Sequence, residues 1–398
     1  MQAGYREYLD ICDRFNLPVL KTGAMVVAWT EEDAAKLPSM LAHAYANGVR
    51  DVEVISADEV RRREPGLAPS RGALLVPGEY VIDPWNSPLA YITQAVQLGA
   101  VLARSTALQG AERVGDHWRL TTSQGDITAM QVVNTAGLYG DHVEAMLLGK
   151  ASFTIKPRKG QFVVYDKPAA KLANAIILPV PTERTKGVVV TQTIFGNLLV
   201  GPTAEEQDSR DDASVDGPTL DMLKQAGERM IPGLKGMPVN AVYAGIRPAT
   251  EKKEYRVHRD EANGYIAIGG IRSTGLTAAL GLAQHVEALI GGASKQGFFY
   301  PSEAMGLTWP EMPNLAEHRP RPWSQPNHGE VVCHCEMVTK QEITAALQSD
   351  VPARDLPGLK RRTRACMGRC QGFYCSAEVA RIANPFFCKP ITVEKDAA

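Results

Sequence analysis

At 398 residues the chain has room for two or three domains, and 44% apolar with 22% charged residues places it among ordinary globular proteins. Its 43 basic and 44 acidic residues leave a formal charge of −1, which removes any global electrostatic case for binding nucleic acid or an anionic membrane. The first fifteen residues, MQAGYREYLDICDRF, lack the apolar stretch of a signal peptide, and no run has the length of a membrane span, so a cytoplasmic chain with no integral membrane segment is expected. Five of the seven cysteines cluster near the end and the other two, Cys12 and Cys388, are remote, a pattern unlike a secreted disulfide framework.

Residues 1–16 read as a helix, and a second helix spans Glu31 to Asn47 with Thr30 as N-cap and Gly48 as stop. Between Leu102 and Ala136 the stretches STALQGAERV, HWRLTTSQG and DITAMQVVNTAG predict a small antiparallel meander ending in a buried strand, with turns at Gly115-Asp116 and Gly125-Asp126. FTIKPRKGQFVVY, NAIILPV, GVVVTQTIFG and NLLVG then predict an antiparallel sheet able to roof a substrate cavity. A polar helix follows from Asp216 to Ile231, then strands at 242–246 and 265–268, and a helix from about Leu276 to Ile290 that starts right after Gly275. Prolines 301, 310, 313, 320 and 322 mark a stiff linker rather than a packed element, with a boundary near residue 330, and TVEKDAA reads as a frayed tail.

The last quarter carries Cys333-x-Cys335 and Cys370-x4-Cys375, with Cys366 just ahead of the second pair. Thiolates are soft, charged donors, so two tight loops could gather four of them around iron or zinc. Zinc knuckles normally use C-x2-C, so this spacing favours iron–sulfur while leaving both metals open. Thr339 and Glu342 form a capping-box signature for an intervening helix whose Ile343 and Leu347 face inward, and that helix sets the distance between the loops. Lys360, Arg361, Arg362, Arg364 and Arg369 surround the second pair; they read either as compensation for cluster charge and a dock for an acidic partner, or as a solvated face.

The segment containing VVCHCEMVTKQEITAALQ and RRTRACMGRCQGFYC resembles the bacterioferritin-associated ferredoxin type of [2Fe-2S] domain as it occurs fused to flavin dehydrogenases. That resemblance implies Cys333, Cys335, Cys370 and Cys375 as the cluster ligands. The family usually has glycine at the position of Cys366, which leaves Cys366 either as a thiol beside the cluster or as a swapped ligand.

Six stretches occur in order: VIDPWNSPLAYITQAVQLGA, VVNTAGLYGDHV, KPRKGQFVVYDK, GPTAEEQDSRDD, AGIRPAT and GYIAIGGIRSTGLTAALGLAQHV. Together they resemble the D-amino-acid oxidase superfamily of FAD-dependent dehydrogenases, nearest the branch of anaerobic glycerol-3-phosphate dehydrogenase and L-2-hydroxyglutarate oxidase. The implied fold is α/β with an α+β substrate sheet. An FAD-binding Rossmann-like domain (83–150 and 241–295) is interleaved with an antiparallel substrate domain (1–82 and 151–240), and a Pro-rich linker (296–330) leads to the [2Fe-2S] domain (331–388). The implied activity is oxidation of glycerol 3-phosphate or a small 2-hydroxy acid. Electrons would pass from flavin through the cluster to a partner subunit or a quinone-linked carrier, which would hold the chain peripherally at the inner membrane.

VVNTAG is an apolar strand ending in small residues, so Thr135, Ala136 and Gly137 let backbone approach a bound nucleotide. IAIGGIRSTGLTAAL ends a strand and opens a helix, which places Gly269, Gly270, Ser273, Thr274, Gly275, Leu276 and Thr277 at a positive helix end facing the flavin pyrimidine ring. The resemblance implies that Arg247, in AGIRPAT, grips the substrate carboxylate or phosphate, the alternative being a structural ion pair; Arg272 and the Arg158-Lys159 pair are further anion contacts. No G-x-G occurs anywhere, so the fingerprint that seats the FAD pyrophosphate is missing. The chain is therefore expected to begin after the first βαβ unit, as a truncated gene model, a split enzyme complemented by another chain, or a degenerate protein. Its sheet would then expose an apolar edge, and the rival reading is a non-catalytic electron-transfer or assembly subunit.

Overall fold

The computed structural model describes residues 1–182, 187–291 and 308–391. Its first part forms α1 (Gln2–Ile11), β1 (Val19–Leu20), β2 (Ala24–Ala28), α2 (Glu31–Ala46), β3 (Glu53–Ile55), α3 (Ala57–Arg63), β4 (Gly72–Val76), β5 (Val81–Ile82) and α4 (Asn86–Gln97). The middle forms β6 (Leu108–Val114), β7 (His117–Thr122), β8 (Gly125–Ala129), β9 (Val132–Asn134), α5 (Gly140–Leu148), β10 (Ile155–Tyr165), β11 (Ile176–Pro179), β12 (Val189–Gln192), β13 (Leu198–Gly201), β14 (Glu205–Glu206), α6 (Gly217–Met230) and β15 (Val239–Thr250). Then come β16 (Arg256–Asp260), β17 (Tyr265–Gly269), α7 (Gly275–Gly291), β18 (Val331–Cys333), β19 (Val338–Thr339), α8 (Lys340–Gln348), α9 (Leu356–Thr363) and α10 (Ser376–Ala383).

Helix starts follow their caps. Thr30 and Asp33 close a reciprocal capping box on α2, Thr339 and Glu342 do so on α8, and the Asp216 carboxylate accepts from Thr219 N at 2.9 Å to start α6. The large sheet runs β14-β10-β13-β12-β11-β2-β4-β3, with the long β15 antiparallel to β10 from Ile155↔Thr250 to Tyr165↔Val239. It is not purely antiparallel: β2 and β11 pair in parallel, joining the 1–82 and 151–240 parts of the chain in one sheet. Such a pairing needs a long crossover and a sheet covered on both faces. The core beneath it holds Met25, Val27, Val163, Ile177, Leu198 and Leu223.

A second sheet runs β16-β17-β9, with β9 parallel to β17, and β6-β7-β8 form the expected meander. The strand expected to be buried, β9, is instead an edge among the described residues, and Val133 is 38% exposed. The α1 and α7 backbones touch: a Cβ on Gly4 would lie 2.4 Å from the Thr277 carbonyl oxygen.

The reading of the proline-rich stretch as a stiff, unpacked linker is corrected over 308–325, whereas 292–307, with Pro301, and the tail 392–398 lie outside the described residues. Leu315 and Ala316 are fully buried against Ile194 and Phe195, Met312 N donates to Phe15 O at 2.9 Å, and Glu317 N donates to Ile194 O at 3.0 Å. Prolines hold the backbone extended without a ladder of its own, which leaves the remaining N–H groups and side chains free to dock on the body.

Candidate functional site

The cysteines sit on short loops around a small core of Val338, Ile343, Leu359 and Val379. Cys333 ends β18, Cys335 lies in the hairpin turn, and Cys375 immediately precedes α10. The thiols of Cys333 and Cys366 both meet that of Cys375, and Cys335 meets Cys370. Burial pushes the Cys333 and Cys375 thiols up to about 11 and raises Cys335, whereas the Tyr374 backbone N–H, ahead of those of Gly372 and Phe373, pulls the half-exposed Cys370 down. Buried thiolates of this kind need cations beside them.

Pairs of thiols suit a diiron cluster, in which each iron takes two protein sulfurs. Gly368 lets the two loops meet, since a Cβ there would stand 2.3 Å from Cys335 Cβ. The sequence carried this glycine inside RACMGRC without marking its role.

The basic residues near the second pair serve mainly as anchors. Arg364 Nε donates to Glu336 Oε2 at 2.8 Å, its guanidinium lies 4.2 Å from the Phe195 ring centroid, and both members of the pair are buried. Arg369 pairs with Asp166 at 2.6 Å, Arg362 donates to Val351 O, and Arg361 stacks over Trp85. Glu336, missed in the sequence because nothing local distinguishes it, is also 3.8 Å from Lys167 Nζ.

In the body, Asn134 at the end of β9 donates to Gly140 O and to Tyr265 Oη, both at 2.8 Å, and its side-chain oxygen accepts from Ala136 N at 3.1 Å. This network holds the turn through Thr135–Gly137 beside the Gly269-Gly270 end of β17. A cavity of about 530 Å³ opens there, lined by Thr135, Gly137, Gly269, Gly270, Gly275 and the apolar face of α7. Half of the sequence-predicted flavin residues thus converge. Ala136, Ser273, Thr274, Leu276 and Thr277 do not line the cavity: Thr274 pairs with Tyr255 Oη at 2.5 Å, and Thr277 faces Gly4.

Neither Arg247 nor Arg272 lines it, although their neighbours Pro248 and Ile271 do. Arg272 Nη2 donates to Lys252 O at 3.0 Å. Arg247 Nη2 donates to Lys159 O at 2.9 Å and Thr203 O at 2.7 Å, so the guanidinium lies across Gly160, where a Cβ would stand 2.9 Å from it. No ion pair holds it among the described residues. Burial, and then Arg158, lower its affinity for its proton. Arg158 is directly opposite Arg247 in the ladder, and its buried Nε has no hydrogen-bond partner among the described residues. Like charges facing each other on adjacent strands repel, while Glu206 of β14 lies opposite Arg158 on its other side and Glu205 offsets part of the charge on Arg247.

A family model for FAD dependent oxidoreductases, DAO, matches residues 1–289. The chain belongs to the FAD-dependent oxidoreductase family. A model of the BFD-like [2Fe-2S] binding domain matches residues 331–384 of this oxidoreductase, and its cofactors are FAD and a [2Fe-2S] cluster. Glycerol 3-phosphate dehydrogenase of Caloramator mitchellensis is 29% identical over 97% of this chain and 82% of its own. One chain of the anaerobic glycerol-3-phosphate dehydrogenase of Escherichia coli K12 is 24% identical over 92% of this chain and 73% of its own. The FAD-bound L-alpha-glycerophosphate oxidase of Mycoplasma pneumoniae shares the fold, with TM-score 0.67 and 24% identity over 73% of this chain and 78% of that one. Glycines and the α7 N-terminus border this cavity and leave backbone open to a bound flavin. Its 398 residues contain no G-x-G to cradle the pyrophosphate.

Proposed function

We propose that the oxidoreductase oxidises glycerol 3-phosphate, with small 2-hydroxy acids as the alternative substrate class, and delivers the electrons to an external acceptor through its [2Fe-2S] domain. The observation that carries this reading is the opposed pair Arg158 and Arg247, both part-buried, with the Arg158 Nε unpartnered among the described residues. A phosphate or carboxylate between them removes the repulsion and takes charge-assisted hydrogen bonds. Relatives named for glycerol 3-phosphate favour phosphate.

FAD held beside Gly269, Gly270 and Gly275 would supply two-electron acceptor chemistry, and a cluster held by Cys333, Cys335, Cys370 and Cys375 would supply one-electron chemistry. The protein's part is to orient and neutralise. Arg158 and Arg247 fix the anionic end, Gly160 leaves room for the Arg247 side chain, and Gly269, Gly270 and Gly275 leave backbone close to the ring. Arg272 and Lys159 are secondary contacts, and the ten predicted flavin residues divide into five that line the cavity, four more at the α7 start and Ala136 in the turn after β9.

The electron exit is assigned to the loop between Cys370 and Cys375. Its Phe373 and Tyr374 are 81% and 80% exposed and lie between two ligands, so an acceptor seated there approaches the cluster closely. Among the described residues no helix is long and apolar enough to cross a membrane. The domains are proposed as 1–295, with substrate parts 1–82 and 151–240, then 296–330 and 331–388. The position of β9 at the sheet edge among the described residues favours a further strand beside it.

A second reading, an electron-transfer or assembly subunit without flavin, is favoured by the missing G-x-G alone. The visible spectrum of the purified chain separates the two, since flavin bands require a nucleotide site. Calorimetric titration with glycerol 3-phosphate, L-2-hydroxyglutarate and glycerol tests the substrate. Tight binding of the phosphate, weakened about tenfold or more in Arg158→Gln, is expected; equal binding of glycerol overturns the proposal.

A further inference from the structure

Residues paired across neighbouring strands point to one face of a sheet, so the β10–β15 register sorts the side chains of both strands. Gln161, Val163 and Tyr165 are buried, and their face packs on the core. The opposite face carries, in order along the ladder, the Arg158–Arg247, Gly160–Gly245 and Phe162–Tyr243 pairs. The Phe162 and Tyr243 rings stack, with centroids 4.8 Å and planes 12° apart. Tyr243 is 45% exposed, and its hydroxyl makes no hydrogen bond among the described residues. The Arg247 guanidinium covers Gly160, whereas a Cβ on Gly245 would meet nothing within 4 Å. Arg247 donates from Nε and Nη2 to the carbonyls of Arg158, Lys159 and Thr203, which leaves Nη1 without a partner among the described residues.

We propose that Gly245 and Tyr243 determine substrate specificity: the carbon chain of a short polyol phosphate lies over Gly245, and its far hydroxyl hydrogen-bonds with Tyr243 Oη. The seat has unlike ends. Its cationic end lies over Gly160, and the stacked rings stand one same-face step further, about 7 Å along the strand. From the glycine pair to Val164 and Ala241 this face carries no charged residue. A second anionic group would therefore lose water against the rings with no cation to offset the cost. The uncharged end, rather than the arginines, disfavours a dicarboxylate such as L-2-hydroxyglutarate. The inference rests on an anion held by Arg158 and Arg247, which binding of inorganic phosphate to the unaltered chain tests on its own.

The experiment is calorimetric titration of the full-length chain, Tyr243→Phe and Gly245→Val with inorganic phosphate, n-propyl phosphate, glycerol 3-phosphate and L-2-hydroxyglutarate. Tyr243→Phe should weaken glycerol 3-phosphate about threefold to tenfold, the loss of one hydrogen bond, and leave n-propyl phosphate unchanged. Valine suits a strand, and the space beside Gly245 admits it. Gly245→Val should weaken both organic phosphates about tenfold or more by filling the seat, while inorganic phosphate binds as in the parent. The parent should bind L-2-hydroxyglutarate about tenfold or more weakly than glycerol 3-phosphate. Unchanged glycerol 3-phosphate binding in both variants overturns the proposal, as does equal binding of the dicarboxylate by the parent. Loss of inorganic phosphate in step with the organic phosphates also overturns it, because the variants would then act on the fold or the anion grip. A parent that binds neither phosphate nor its esters overturns the anion assignment and the proposal with it.

Discussion

Replacing Arg364 with methionine should loosen the cluster domain by removing the cation that balances a buried carboxylate. The Arg364 and Glu336 side chains are 7% and 2% exposed and meet at 2.8 Å, so little solvent screens the charge left behind. Breaking a buried pair from one side costs about 3–5 kcal/mol. Lys167 remains 3.8 Å from the same carboxylate oxygen and offsets part of the loss, which puts the expected cost near the lower end, about 3 kcal/mol. Methionine inherits the φ of 67 that Arg364 already has, so backbone strain is similar on both sides of the comparison. With a urea m-value of about 1–3 kcal/mol/M, the midpoint should fall by about 1 M or more. Cluster absorption during a urea titration reports on this domain directly. Adding Glu336→Leu to Arg364→Met should recover most of the stability, because an apolar pair leaves no buried charge. A midpoint shift below about 0.3 M, or a double variant as unstable as the two singles combined, would refute the reasoning.

Gly368→Ala should strip most of the iron, because its Cβ would fall 2.3 Å from Cys335 Cβ and hold the ligand loops apart; full iron occupancy by metal analysis would contradict this. The body offers a pH test in Asp141. Burial raises its carboxyl, but hydrogen bonds from Arg210 at 2.7 and 2.9 Å, together with the Ile155 N–H, hold it below the ordinary 3.8. A depressed folded-state pKa stabilises fully above the unfolded value and is lost as pH falls through the folded one. Asp141→Asn should therefore cost about 2–3 kcal/mol at neutral pH. Its deficit relative to the parent should narrow only below pH 3.8, as thermal melts across pH 3–7 would reveal; a deficit constant down to strongly acid pH would count against the ion pair.

Much of the site was legible in the sequence because its chemistry is local. Cys333-x-Cys335 and Cys370-x4-Cys375 put thiols on single turns, Thr339 and Glu342 close their box within one helical turn, and the Gly269-Gly270 turn must lie next to the α7 start. The prolines misled, because a composition that cannot form a ladder was read as one that cannot pack, whereas Leu315 and Ala316 are buried. The sequence singled out Arg247 but not its environment. The carbonyls of Lys159 and Thr203, and the facing Arg158, come from other strands.

By itself the sequence determined the helix caps, the cysteine spacing, the order of the six family stretches and the absence of a G-x-G, all properties of residues a few positions apart or of composition. Only the tertiary structure decided that β2 joins β11 in parallel, that β9 is left as an edge among the described residues, that Arg364 buries against Glu336, and that Cys366 stands 3.5 Å from Cys375. The reason is physical: caps and turns satisfy backbone groups within one segment, whereas strand partners, buried charges and sulfur contacts depend on which distant segments pack together, and no local pattern encodes that distance.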